Sequence, residues 1–275
     1  MSKLGADLAH RFGDHPLAEA PDAHAAAVFE RMARRGSCRR FKPEPVSNAL
    51  IETLCALALA SPSKSDLQQR DIVIIEDAAI RSRINALVAD QEWIKGAPHL
   101  LIFLGNNRRQ RQVHVWRGIA FANDHLDAFF NAAVDAGIAL SAFVLAAEAA
   151  GLGGCPISVI RNHSEEVSRL LGLPDHVFPV AGLAFGWPLQ PMHMSLRLPL
   201  SATVHRDRYR DCTKDAVDAY DARRNAVFPY RVQRNVAAFG QSGTYGWSED
   251  KARQYARPER ADFGAFVRNK GFNLS

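Results

Sequence analysis

None of the four cysteines, Cys38, Cys55, Cys155 and Cys212, forms a C-x-x-C pair. That spacing gives neither a zinc knuckle nor a disulfide scaffold, and it suits a reducing cytoplasm. The ten histidines include no H-E-x-x-H or comparable metal spacing. A G-x-S-x-G elbow and a P-loop are also missing, so metal-dependent and hydrolytic chemistry have no basis in sequence. The first residues, MSKLGADLAHRFGDHP, contain no apolar run of signal-peptide length, and export by that route is not expected. The greasiest run, Ala136 to Ala150, contains Ser141 and Glu148 and is too short for a membrane span. Repeats and low-complexity tracts are absent.

What is present is ordinary globular composition, 47% hydrophobic and 23% charged over 275 residues. This excludes a disordered chain, a collagen and a coiled-coil rod. The length suits one large domain or two small ones. A net charge of +5 and a pI near 9.2 fit phosphorylated ligands and weak nucleic-acid contact equally well.

Residues 1–22 are polar and Pro-bearing, and a loose leader is expected there. Helical spacing covers His24 to Arg35, ending at Gly36. A second helix is capped by Ser47 and runs to about Ala60. Strands are expected at Asp71 to Glu76, His99 to Gly105, Cys155 to Ile160 and Val177 to Phe185. Helices lie between them at Ala78 to Ala89 and about Asp124 to Ala150, with a short one capped by Asn162 or Ser164. After Trp187 the pattern fades into charges and scattered aromatics. A structureless segment of that length is unusual in a compact domain, and an arm wrapping a partner subunit would account for it. The aromatics Tyr245, Trp247, Tyr255, Phe263, Phe266 and Phe272 argue for docking rather than disorder. The pattern predicts a mixed α+β domain over residues 23–275, with 188–275 as an extended arm.

Three stretches can carry chemistry. Arg34 to Phe41 sets four arginines around a Gly-Ser turn, and guanidinium forks, a hydroxyl and backbone N–H groups make a cradle for phosphate. Ala60 to Gln69 offers hydroxyls, an ammonium and two amides in a loop at an element end. Gly151 to Pro156 is glycine-rich, but it closes a helix and precedes a strand, the reverse of a Rossmann loop. No acid, base or nucleophile is evident, so an organic cofactor that carries the reactivity itself fits this residue set.

Taken in order, RGSCRRF, SPSKSDLQ, DQEWIKGAPHLLIF, GLGGCPISVIRN, LPDHVFPVAGLAFGWP, LRLP and YGWSED resemble the FMN-dependent nitroreductase family, in its NADPH-preferring, oxygen-insensitive nitroreductase and flavin reductase branch. The resemblance implies a mostly antiparallel sheet flanked by helices, in an intertwined cytoplasmic homodimer with the flavin between subunits. It implies FMN as cofactor, NADPH or NADH as donor, and a nitroaromatic, quinone or similar small acceptor, reduced in ping-pong fashion by two electrons. Position by position, it assigns Arg35, Gly36, Ser37 and Arg39 to the FMN phosphate and ribityl chain. Ser63, Lys64, Ser65 and Gln68 come from the Ser-rich loop, and Gln91 contacts the flavin. Pro156, Ile157, Ser158 and Val159 run beside the isoalloxazine, and Arg197 is a second phosphate arginine. The chain departs from the family pattern at Gly36, Pro156, Ser158, Val159 and Ser195. No side-chain catalyst is assigned, because the flavin N5 carries the chemistry. Two alternatives stay open: a related flavoenzyme performing reductive dehalogenation or oxygen-dependent flavin breakdown, and a basic, non-enzymatic nucleic-acid-binding protein.

Overall fold

Runs of β-branched and aromatic residues become strands, and Ala- and Leu-rich stretches become helices, in the computed structural model, which describes residues 2–14 and 18–275. In chain order the elements are α1 (Lys3–Phe12), α2 (Ala23–Arg34), α3 (Asn48–Leu59), β1 (Arg70–Ile74), α4 (Ala78–Leu87), β2 (His99–Asn106), α5 (Arg108–Arg117) and α6 (Leu126–Ala149). They continue with β3 (Gly153–Ile157), α7 (Ser164–Leu170), β4 (Val177–Gly186), α8 (Leu200–Thr203), α9 (Lys214–Val227), α10 (Val236–Phe239), α11 (Trp247–Tyr255) and α12 (Phe263–Asn269). The chain divides into two compact units, Met1–Arg35 with Met194–Glu259, and Gly36–His193 with Arg260–Ser275.

The larger unit holds a four-stranded sheet in the order β1-β2-β4-β3, each neighbouring pair antiparallel, as an α+β nitroreductase-like fold requires. β2 and β4 occupy the centre and are buried on both faces, which is why they read as near-continuous apolar runs. On one face, Ile51, Leu54 and Ala58 of α3 and Ala139, Phe143 and Ala147 of α6 pack on Leu101, Phe103, Leu183 and Phe185. On the other, Ile84 of α4 and Val167 of α7 meet Leu100, Ile102, Leu104 and Ile157. A third cluster joins Ala132 and Phe178 to Phe266 and Phe272, which the chain brings back from its end. By length and composition α6 could cross a membrane, but its small-residue face lies on the sheet.

Some boundaries differ from the sequence expectation. β3 begins at Gly153 and ends at Ile157, and a 3-10 turn takes over at Val159–His163. Gly153 opens this strand because the segment around Cys38 approaches too closely for a side chain there. α7 begins after His163 with no side-chain cap, so neither Asn162 nor Ser164 acts as its N-cap acceptor.

In the smaller unit, the expected loose leader contains α1, whose N-cap Ser2 accepts from the Gly5 N–H (3.1 Å); residues 1 and 15–17 lie outside the described residues. Leu4 of α1 is buried, and Asp7 pairs with Arg34 of α2 (2.9 Å). The segment after Trp187 carries the helices α8 to α12 and is not structureless. Its periodicity is hidden because charged groups occupy interior positions. Asp250 of α11 is 2% exposed and receives the Tyr245 hydroxyl (2.8 Å), Arg234 (3.1 Å) and Lys251 (2.7 Å). Such an interior looks polar to any hydropathy pattern.

Two polar groups in the larger unit, one buried and one half-buried, matter for stability. Asp135, fully buried on α6, accepts from Ser63 Oγ (2.8 Å), Lys64 N–H (3.0 Å) and Gln69 N–H (3.1 Å), and faces Arg70 Nη1 at 3.6 Å. Asp135→Ala would leave Arg70 and three donors without this acceptor and is expected to cost about 3–5 kcal/mol, read as a lowered urea midpoint.

His99, at the start of β2, accepts the Val46 N–H through Nε2 (2.8 Å). Burial, and then the Arg81 charge, hold its pKa below the ordinary value. The neutral ring therefore contributes stability that is fully present above about pH 6.5, the unfolded value, and is lost as pH falls through the folded value. Unfolding free energy should fall more steeply below pH 6.5 in the wild type than in His99→Gln, as chemical denaturation at pH 7.5 and 5.5 would measure.

Candidate functional site

Gly36 to Lys42 forms an extended segment lying between two others. The Cys38 N–H donates to the Gly154 carbonyl of β3 (3.0 Å), and the Lys42 N–H to the Trp187 carbonyl (2.8 Å). Leu189 N–H returns a bond to the Arg40 carbonyl (2.9 Å), and Phe41 bridges Pro188 in antiparallel sense. Extended backbone alternates its side chains. Cys38 turns inward, and a Cβ added at Gly153 would stand 2.6 Å from its Cβ. A Cβ at Gly36 would stand 2.2 Å from the His193 carbonyl oxygen, so the backbone leaves no room for a side chain at this position.

Burial is the main cause that pushes the Cys38 thiol above its ordinary pKa, so this cysteine is a packing residue rather than a nucleophile. Its neighbours point the other way: Ser37 is half-buried and Arg39 exposed. The Arg39 guanidinium lies 5.7 Å from the Trp93 ring centre. Trp93 Nε1 donates to Gln91 Oε1 (3.1 Å), and Gln91 Nε2 to Asp90 (3.2 Å). Arg39 and Gln91 are thus brought together through Trp93. Among the described residues, the Arg39 guanidinium and the Ser37 hydroxyl have no hydrogen-bond or ion-pair partner. Pro156 on β3, the edge strand, and Ser158 just beyond it are exposed, while Ile157 is buried in the core. An edge is where a residue lacking an N–H is tolerated.

The Ser-rich loop stands elsewhere. Ser63 Oγ donates to Asp135 and accepts the Gln68 N–H (2.7 Å), so its hydroxyl is used in shaping the loop. Lys64 and Ser65 are exposed, and Gln68 Nε2 donates to Asp66 (3.1 Å). Ser65, Asp66 and Gln68 all have left-handed backbone, with φ of 48°, 54° and 51°. Strain of this kind clusters at functional sites. The loop leads into β1, at the opposite sheet edge from β3. Three strand spacings, about 14 Å, therefore separate the two groups across one sheet.

Arg35 and Arg197 belong to the smaller unit and line one cleft of about 470 Å³ there. Arg197 Nη1 donates to Ser195 Oγ (2.6 Å) and to the Leu196 carbonyl (3.0 Å). The Ser195 hydroxyl thus orients the arginine. The fourteen expected residues fall into three groups: Gly36, Ser37, Arg39, Gln91 and Pro156 to Val159; Ser63, Lys64, Ser65 and Gln68; and Arg35 with Arg197. Trp93 and Asp135 were missed. Trp93 lies inside a quoted motif, and Asp135 is a lone acid on an alanine-rich helix face, which was the available signal.

The donors present are those a phosphate monoester needs: an unpaired guanidinium and hydroxyl on a ridge of closely approaching backbones. A curated flavin reductase of Bacillus subtilis, named FMN reductase [NAD(P)H], is 29% identical over 253 residues, covering 90% of this chain and 98% of that protein. The oxygen-insensitive NADPH nitroreductase of Salmonella typhimurium is 33% identical over 194 residues, covering 70% of this chain and 79% of the relative. Among solved structures, NfrA2 of Bacillus megaterium superposes with a TM-score of 0.82 at 29% identity, over 90% of this chain and 98% of that one. The nitroreductase family profile matches residues 32–187 and the family's C-terminal domain matches 195–275, so this chain belongs to the nitroreductase family.

Proposed function

We propose that the chain binds FMN and acts as an NAD(P)H-dependent oxidoreductase, reducing a flavin, nitroaromatic, quinone or similar small acceptor. The observation that carries this reading is the unpaired Arg39 guanidinium beside the Ser37 hydroxyl, held next to β3 by backbone pairing. The relatives' names, FMN reductase and NADPH nitroreductase, support the same class of reaction. Bound flavin would supply the hydride-accepting centre and the two-electron capacity. The protein's own part is to bind and orient. Arg39 and Ser37 would hold the phosphate by charge-assisted bonds. Trp93 and Gln91 brace Arg39, and the exposed β3 edge at Pro156 and Ser158 would present backbone to the ring system. Lys64 and Ser65, with hydroxyl and ammonium exposed, would meet the cofactor from the other side, whereas Ser63 holds the loop.

The separation of these groups across the sheet favours a homodimer, in which one subunit's loop approaches the other's Arg39 ridge. The outer face of α6 supports this, since Leu126, Phe130 and Val134 stand exposed at four-residue spacing. Apolar stripes of that kind mark interfaces. Four free cysteines suit a cytoplasmic location.

The direct test is the visible spectrum of protein supplied with FMN, followed by stopped-flow reduction with each nicotinamide. Absence of a flavin band after reconstitution sinks the reading. Arg39→Ala should weaken FMN binding on the order of tenfold to a hundredfold, as loss of a charge-assisted bond of about 1.5–3 kcal/mol implies. Riboflavin, lacking the phosphate, should change little in the same fluorescence titration. Phe130→Glu should shift sedimentation from dimer to monomer and lower FMN retention with it; a variant that stays dimeric would remove α6 from the interface.

A further inference from the structure

Arg197 also lines a second cavity of the smaller unit, of about 540 Å³, walled by α1, residues 195–203, α9 with the turn after it, and α11. Four aromatic rings line it: Tyr220, buried on α9, and the half-buried Phe12, Tyr230 and Trp247. Tyr220 meets Trp247 edge-on, with ring centres 5.2 Å apart. Three cations share the same walls, Arg197, Arg224 and Lys251, and none of the lining residues is acidic. Burial pushes the phenols of Tyr220 and Tyr230 above their ordinary pKa, so neither adds negative charge near neutral pH. The wall around Arg197 is held by the protein itself. The Tyr220 hydroxyl donates to the Leu196 carbonyl (3.2 Å), the Arg197 N–H to the Arg11 carbonyl (2.8 Å) and Arg223 Nη2 to the Arg197 carbonyl (2.6 Å). Lys251 is engaged by Asp250 (2.7 Å) and Gln254 (3.1 Å). The two arginines keep donors in reserve. Arg224 lies 4.0 Å from the Tyr230 ring centre and places Nη1 on the Phe228 carbonyl (3.0 Å), while Arg197 uses only its Nη1. Among the described residues, Nη2 of each has no acceptor.

We propose that this cavity is a binding site for an aromatic carboxylate of one or two fused rings. It goes beyond the flavin reading and does not depend on it. The volume lies in the usual range for small-molecule sites, which pair an apolar lining with a few polar groups. Aromatic walls receive a planar ring through offset or edge-to-face contacts. A guanidinium N–H is the natural donor to a carboxylate, and the bond is charge-assisted. Because Asp250 already meets the Lys251 charge, the arginines are the donors left for a ligand, and that balance suits a single negative charge on an apolar body. One of the two Nη2 groups is sufficient for the bond. Neutral rings of the same shape would keep the stacking and lose the charged contact, which gives the test its control.

The test is calorimetric titration of the full-length protein at neutral pH with 2-naphthoate and with its neutral counterpart 2-naphthalenemethanol, each with and without added FMN. Unfolding midpoints are recorded alongside. The wild type is expected to bind 2-naphthoate saturably and on the order of tenfold more tightly than the alcohol, the worth of one charge-assisted hydrogen bond. Arg224→Gln should remove most of that difference while leaving the alcohol within about twofold. Arg197→Gln, at an exposed position, should lower 2-naphthoate affinity in the same direction, and it covers the case in which Arg224→Gln does not fold. No saturable binding of 2-naphthoate, or equal affinity for the two probes, overturns the proposal. So does full retention of 2-naphthoate affinity in the folded variants. Loss of 2-naphthoate binding on adding FMN would put the probe in the flavin site and overturn it as well. A protein that binds 2-naphthoate in this way but takes up no FMN keeps the proposal and overturns the flavin reading alone.

Discussion

Backbone pairing of the segment Cys38 to Lys42 with β3 on one side and residues 187–189 on the other is the constraint on which the candidate site depends. It fixes the alternation that buries Cys38 and sends Arg39 outward. It also demands the close approach that removes a side chain at Gly153 and Gly36. Edge strands present unpaired backbone that invites further strands. Here the Gly154 carbonyl of β3 is taken by Cys38, so one device both blunts the edge and aims the arginine. Trp93 and Gln91 then brace a guanidinium whose direction is already set.

The sheet was legible in sequence because its central strands are apolar on both faces, as in HLLIFLG and VFPVAGLAF. The helices α2, α3 and α6 were legible through their spacing. α1 was not, since its buried faces include Asp7 and Arg11, and polar interiors erase the apolar stripe. The same effect hid α9 and α11, where Tyr220 and Trp247 meet edge-on at 5.2 Å and Asp250 and Arg253 lie inside. α5 is too polar for any stripe. Within the site, the order of motifs named the residues but said nothing of their partners. That Ser63 would donate to Asp135, seventy-two positions away, depends on how α6 crosses the sheet, and short-range spacing carries no trace of that.

The basic character of the chain has a different meaning once the arginines are located. Arg11, Arg70, Arg81, Arg223 and Arg253 direct their guanidiniums at backbone carbonyls, joining segments remote in sequence. Arg81, for example, holds the carbonyls of Ile94 (2.8 Å) and Ala97 (2.9 Å), and burial lowers its pKa. The charge of these five arginines is therefore part of the framework rather than a surface field. A pI near 9.2 consequently says little about a polyanionic partner.

The left-handed run at Ser65, Asp66 and Gln68 sets the loop against the rest of the molecule in energetic terms. L-residues in that conformation each cost about 1 kcal/mol or more, and the loop is kept in shape by the buried Asp135 acceptor. Glycine at any of the three positions would relieve strain in the folded state, while adding freedom to the unfolded chain and to the loop itself. The stiffness and the strain are thus one property. A thermally adapted version of this protein would be expected to keep the strained loop and to gain its stability elsewhere, because relaxing it would loosen the placement of Lys64.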